Sequence, residues 1–268
     1  MILRKTALFV TGILVLSGCM TASQEKYFQD IENQRAKAYS KPKVNEKIII
    51  DTAQLKKDLK IISHDSLEGR LPGSKGSLIA RKYLTDRLQA AAIATFGNSY
   101  LQEFNFSRGT TEFRAANVIG FIRGTKAPEK YIVLSAHYDH LGIKNGKIFN
   151  GADDDASGVC GLLAMADYFS KNKPGTSIIF CFFDAEEKGL KGSYHFVDNP
   201  PVKLENITLN VNLDMISRND KHDELIAAGT YYHPELRKLL APLQEISNIA
   251  LIFGYDQRGS KSGIEDWT

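Results

Sequence analysis

Within "DTAQLKKDLKIISHD", apolar residues fall at Leu55, Leu59 and Ile62, a spacing that predicts an amphipathic helix. A second helical pattern follows in "GSKGSLIARKYLTDRLQAAAI", with Leu78, Ile79, Tyr83, Leu84 and Leu88 expected on one face. The pattern then changes: "EFNFSRGTTEFRAANVIGFIRG" reads as a strand, a glycine turn and a second strand. Three short, nearly continuous apolar runs come next, "YIVLSAHYDH", "SIIFCFFDAEE" and "ITLNVNLDMI", and such runs predict strands buried on both faces. Helical patterns lie between them, notably "SGVCGLLAMADYFSKN" from Ser157. Strands alternating with helices predict an α/β fold, a three-layer α/β/α sandwich around a mostly parallel, mixed central sheet.

The chain before residue 51 has a different character. Arg4 and Lys5 precede an apolar stretch from Ala7 to Leu16, too short to span a bilayer and laid out like a secretory signal. It ends in Leu16-Ser17-Gly18-Cys19, which resembles a bacterial lipobox. That resemblance implies a signal peptide over residues 1–18 and a lipid on Cys19 that anchors the chain to a membrane of the bacterial cell envelope. Residues 19–50 are rich in Lys, Gln and Glu and read as a polar tether. A catalytic domain is expected over residues 51–268.

The sequence has 268 residues, 43% hydrophobic and 24% charged, enough for a sizeable core. Its formal net charge of +3 comes without a block of Lys and Arg, so a nucleic-acid partner has no electrostatic footprint. Cys160 and Cys181 both sit in apolar runs and read as small buried hydrophobes.

The chemistry is concentrated at the ends of the expected strands. In open α/β sheets, ligands bind beyond the C-terminal ends of strands. Those ends carry His137-Tyr138-Asp139-His140, then Asp184 with Glu186-Glu187, then Asp214. A further acidic run, "NGADDDASG", opens the helix at Ser157. Carboxylates crowded without a cation raise one another's pKa, whereas a divalent metal removes the repulsion. His and carboxylate donors suit zinc, and a carboxylate bridging two metals makes a two-metal hydrolytic site. One glutamate of the adjacent pair is expected to bind metal and its neighbour to act as the base.

"AHYDH", "NGADDDASG", "DAEEKGLKGS" and "NLDM" occur here in the order and at the spacings of the co-catalytic zinc aminopeptidases. The chain resembles that family, which includes bacterial leucyl-type aminopeptidases and relatives of glutamate carboxypeptidase and the transferrin receptor. "LEGRLPGSKG" is similar to the family's N-terminal region. The resemblance implies two zinc ions and cleavage of peptides that have a free N-terminus. It implies His137 and Asp214 as ligands of the first zinc, Asp153 as the bridge, and Glu187 on the second zinc. It implies Glu186 as general base, Asp139 as the hydrogen-bond partner of the far nitrogen of His137, and a cis peptide between Asp153 and Asp154.

Quieter roles remain for other residues. Asp155 reads as a helix cap as readily as a site residue, and His140 as a pocket-wall or hydrogen-bonding residue. Tyr231-Tyr232-His233 does not match the family's ligand segment. The family's fifth ligand is a His in a C-terminal segment that these 268 residues do not reach. The fold is therefore expected C-terminally truncated, with Asp153 and Glu187 alone on the second zinc. Either the sequence is a fragment of a longer enzyme or the product stops at Thr268. Two alternatives stay open: a glutaminyl cyclase-like enzyme using one zinc, and a catalytically impaired or non-catalytic homologue.

Overall fold

The computed structural model describes residues 22–43, 49–218 and 223–254. The expected signal peptide and the lipid-bearing Cys19 lie outside the described residues. No helix among those described is long and apolar enough to cross a membrane. In chain order the helices are α1 (Ala22–Tyr39), α2 (Thr52–Ile62), α3 (Lys75–Ala90), α4 (Ala156–Lys171), α5 (Lys191–Asp198) and α6 (Glu235–Leu240). The strands are β1 (Leu101–Arg108), β2 (Thr111–Ile122), β3 (Ala127–His137), β4 (Gly142–Lys144), β5 (Lys147–Phe149), β6 (Thr176–Phe183), β7 (Ile207–Asn212), β8 (Glu224–Ala227) and β9 (Ala250–Phe253).

The chain divides into two compact units, Lys47–Asp220 and a second built from Met1–Glu46 with Lys221–Thr268. This differs from a single domain running from residue 51 to the end. The reason lies in α1: where a polar tether was expected, Ile31 is buried with Ala250 and Ile252 of β9. In that unit β8 and β9 pair in parallel, and Arg35 on α1 makes a two-pronged contact with Glu224 of β8.

The larger unit is built on a five-stranded sheet of order β1-β2-β6-β3-β7. β6, β3 and β7 run parallel, whereas β1–β2 and β2–β6 are antiparallel, so the sheet is mixed as expected. β1 and β2 form the hairpin read from the sequence, turning at Gly109, whose φ of +62° suits glycine. One sheet face is covered by α2, α3 and α4, which bury Ile62, Leu84, Leu88, Leu162 and Leu163 against Val118, Leu134 and Phe180. The other face carries Ile119, Tyr131, Val133, Ile179 and Cys181 under Phe196 of α5.

Two patterns resolve differently from the sequence reading. On α3 the buried stripe is Ser77, Ala80, Arg81, Leu84 and Leu88, while Leu78 and Ile79 face outward at 54% and 37% exposure. Gly76 explains the rotation, because any side chain there would strike the carbonyl of Leu67, so the helix lies tightly on that segment by its small-residue side. β7 is not buried on both faces: Thr208, Asn210, Val211 and Asn212 are exposed on an edge strand. β6, at the sheet centre, is buried from Ser177 to Phe182.

Candidate metal centre

The parallel strands end at a common level, which gathers the chemistry. His137 lies opposite Phe183, and Ser135 opposite Asn212. Two residues further along, Asp214 draws level with His137, and the Asp184–Glu187 turn begins beside it. Alternation along the chain then divides the end of β3. The His137 ring faces the acidic loop. Tyr138 is wholly buried on the other side and donates its hydroxyl to Asp184 at 2.7 Å. Asp184 also accepts from the backbone N–H of Ala116 at 3.0 Å and from Arg81 at 3.2 Å. Despite its place in the motif, it therefore works inside the protein, anchoring the ends of β3 and β6 to each other.

The next turn aims the glutamates. Ala185 is buried in a left-handed conformation with φ of +58°, a geometry that costs a non-glycine residue about 1–2 kcal/mol. The backbone N–H groups of Glu186 and Glu187 then donate to the two carboxylate oxygens of Asp139, at 2.9 and 3.3 Å. Asp139 thus serves the turn as well as the ring: its carboxylate lies 3.6 Å from Nδ1 of His137, the nitrogen it was expected to partner. The same ring nitrogen also meets the main-chain carbonyl of Asp139 at 3.1 Å.

The acidic loop holds the main correction. Asp154, not Asp153, enters the cluster. Asp154 Oδ1 is 3.1 Å from Nε2 of His137, and its other oxygen is 3.7 Å from Nδ1 of His140. Asp153 is turned away because its Oδ1 accepts from the N–H and hydroxyl of Ser217, at 3.1 and 2.8 Å. The cis peptide correspondingly joins Asp154 and Asp155, one residue later than expected. Asp155 caps α4 through Gly158 and accepts in addition from the N–H groups of His137 and Met215, tying three site segments together. Ser157 donates to the Asp153 carbonyl and accepts from the N–H of Ile216, which ties the acidic loop to the segment after Asp214.

Two overlapping donor groups result. His137, Asp154 and Asp214 form one; His140, Asp154 and Glu187 form the other; in each, the donor atoms lie within 4.8 Å of one another. Asp214 Oδ1 and Glu186 Oε2 stand 3.8 and 3.9 Å from Nε2 of His137. Two donors on one tetrahedral zinc at about 2.0–2.2 Å lie roughly 3.3–3.6 Å apart. The observed separations of 3.1 to 3.8 Å around His137 bracket that range, so the residues fit such an ion.

The electrostatics point the same way. Burial pushes the Asp155 carboxyl up to about 8, opposed by His137 and reinforced by Asp214. Burial also raises Glu186 to about 7, with His137 lowering it and Asp139, Asp214 and Glu187 adding to the rise. Burial would lower the His137 pKa, but contacts with Asp139, Asp154 and Asp214 outweigh it and hold the ring well above its ordinary value. The cluster therefore attracts positive charge, whether a proton or a metal cation.

Arg70 is the residue of this region that sequence reasoning passed over. It is fully buried, and its guanidinium donates to four main-chain carbonyls: Tyr138 at 2.7 Å, Ile62 at 2.7 Å, Asn150 at 2.6 Å and Gly151 at 2.9 Å. Burial pulls its pKa down to about 10, against the pull of Asp139, Asp155 and Asp154. It binds the end of β3 to the loop that carries Asp154. Its place in "LEGRLPGSKG" was the available signal, since an arginine beside turn glycines is a natural cross-link between loops.

The chain is similar to known proteins in sequence and in fold. The profile of peptidase family M28 matches residues 117–266. A probable zinc metalloprotease from Phaeosphaeria nodorum is 27% identical over 180 residues, covering 59% of this chain and 36% of the relative. The chain thus spans about a third of that relative's length. Among solved structures, a leucine aminopeptidase precursor from Bacteroides thetaiotaomicron superposes with a TM-score of 0.60 at 21% identity, covering 76% of this chain and 77% of that one. Glutaminyl cyclase from Porphyromonas gingivalis gives a TM-score of 0.61 at 23% identity, covering 76% and 75%. At these identities the likeness establishes the fold: a mixed sheet flanked by helices, of the zinc exopeptidase type.

Proposed function

The chain belongs to peptidase family M28, and from that premise we propose that it is a zinc-dependent aminopeptidase, removing N-terminal residues from peptides. The observation that carries this reading is the posture of Asp154, whose two carboxylate oxygens face two different histidines. A carboxylate so placed is suited to bridge two cations, the arrangement of a two-metal hydrolytic site. His137, Asp154 and Asp214 would hold one ion, with Asp154 and Glu187 on the other. When bound, the ions supply Lewis acidity that polarises the scissile carbonyl and acidifies water.

The protein's own groups do the rest. Glu186 stands beside the cluster at 3.9 Å from Nε2 of His137, held by the Asp139 cradle beneath its backbone. There it takes the proton from the attacking water and returns it to the leaving amine. In the metal-free site burial raises its carboxyl to about 7. Asp155 and Arg70 keep the acidic loop, the end of β3 and the segment around Asp214 in register. In the cell we place the enzyme in a bacterial envelope, tethered through Cys19; mass analysis of the N-terminal peptide for a lipid checks this.

The experiment that tests the activity compares a fluorogenic leucyl amide with a glutaminyl peptide, using the zinc-loaded protein. Release of the leucyl reporter, abolished by chelation and restored by zinc, is expected. Cyclisation of the glutaminyl peptide without leucyl hydrolysis would overturn the reading in favour of a one-metal cyclase.

A further inference from the structure

His140 carries a feature that a hydrogen-bonding or wall residue would not. It is 94% buried, and its Nδ1 lies 2.8 Å from Oε1 of Glu187. A contact that short would ordinarily be a hydrogen bond. Here the two atoms do not meet the geometry of one, and both are buried without a hydrogen-bond partner. Leaving two such atoms unsatisfied is costly. Two lone pairs that approach side by side without bonding share a target instead. The second oxygen of Asp154, 3.7 Å from the same nitrogen, completes the ring of donors.

The posture of His140 is fixed by the chain around it. Its backbone N–H donates to the carbonyl of Arg70 at 3.4 Å. The Arg70 guanidinium grips the carbonyls of Tyr138, Asn150 and Gly151, which holds the loops carrying His140 and Asp154 together. His137 approaches Asp154 through Nε2 and His140 through Nδ1. The two rings, three residues apart, therefore flank one carboxylate from different sides.

We propose that His140, through Nδ1, is a direct ligand of the second metal position, together with Glu187 and Asp154. This rests on the two-metal reading above and adds to it a ligand that the family resemblance does not supply. Each position then has one imidazole nitrogen and two carboxylates. Three protein ligands are the usual complement of a catalytic zinc, which keeps its remaining position for substrate or water. The two positions come out chemically equivalent within residues 137–214.

The test measures metal content and affinity on the full-length protein, wild type and His140→Ala, by elemental analysis and cobalt titration followed by visible absorption. Two equivalents are expected for the wild type. The variant should keep the first and bind the second more than about 100-fold more weakly, beyond the 10–100-fold typical of losing a residue that only orients a ligand. Glu187→Ala should lose the same equivalent. A wild type that takes up fewer than two ions overturns the two-metal reading and the inference with it. Two equivalents in the wild type, with the second bound about as tightly in His140→Ala and an unchanged cobalt spectrum, overturn the inference alone. Should the variant fail to fold, the cobalt-loaded wild type decides. A His140 ring N–H resonance shifted far outside the diamagnetic range supports ligation, and an unshifted one refutes it.

Discussion

Two groups of buried carboxylates in the larger unit invite comparison. On the helical side of the sheet, Asp58 is 1% exposed and fully accompanied. Arg87 reaches its two oxygens at 3.0 and 3.1 Å, and Gln54 and the Tyr83 hydroxyl donate to it as well. Arg87 also takes Asp167 at 2.6 Å, so both acids are met by one cation. At the strand ends the arrangement is reversed. Among the described residues, the ion pairs of Asp154, Asp214, Glu186 and Glu187 are with His137 and His140. The nearby arginine, Arg70, turns its N–H groups to main-chain carbonyls. An acid that serves structure brings its own cation; acids brought together without one are arranged for a cation from outside.

The comparison predicts opposite consequences for the two groups. The largest effect is expected at the strand ends. Asp154→Asn should abolish zinc binding and with it hydrolysis, measured as metal content after dialysis, while circular dichroism stays unchanged. Glu186→Gln should keep the metal and lose about 10²–10⁴-fold in kcat; undiminished turnover would remove Glu186 from the mechanism. On the helical side, Asp58→Ala should leave metal content intact and cost about 3–5 kcal/mol in stability, because Arg87 and Tyr83 lose their buried partner. Loss of metal from Asp58→Ala would erase the distinction between the two groups.

A smaller effect sharpens it. In the chelated protein, Asp155 and Glu186 hold protons up to about 8 and about 7, above the values of an unfolded chain. The folded state then binds more protons than the unfolded one, so its stability falls as pH rises from about 4 to 8. The Tm of the chelated form should decline across that window, and zinc should remove most of the slope. A Tm independent of pH in the chelated form would show that burial does not raise these two carboxyls. The smallest change belongs to Asp153→Asn, which disturbs hydrogen bonds to Ser217 and should leave zinc content unaltered.

Much of this was legible in the sequence because it follows from periodicity. The apolar runs at 131–137 and 177–183 became β3 and β6, and the residues just past them are those brought to the site. What the sequence could not resolve was register. Asp153, Asp154 and Asp155 are chemically identical neighbours, and the choice among them depends on where the chain turns. The backbone sends one to Ser217, one to the cluster and one to the α4 cap. His140 was missed as a donor for a related reason. β3 ends at His137, and past that point alternation no longer says which way a ring faces. The outward turn of Leu78 and Ile79 came from Gly76 lying against Leu67, a contact between segments that a helical pattern does not contain.

The segment around Arg70 has a bearing on attempts to borrow this centre. Glu68, Gly69 and Arg70 all adopt left-handed backbone angles, and a side chain at Gly69 would strike the carbonyls of Phe149 and Gly142. In that coiled conformation the arginine reaches its four carbonyls. A lysine could not substitute, since an ammonium has three donors and no planar fork to span four acceptors on separate segments. Grafting the histidines and carboxylates onto another α/β scaffold would therefore transplant the donors without the splint that sets their spacing. The smallest portable form of this site includes residues 67–71, some seventy positions before its first donor.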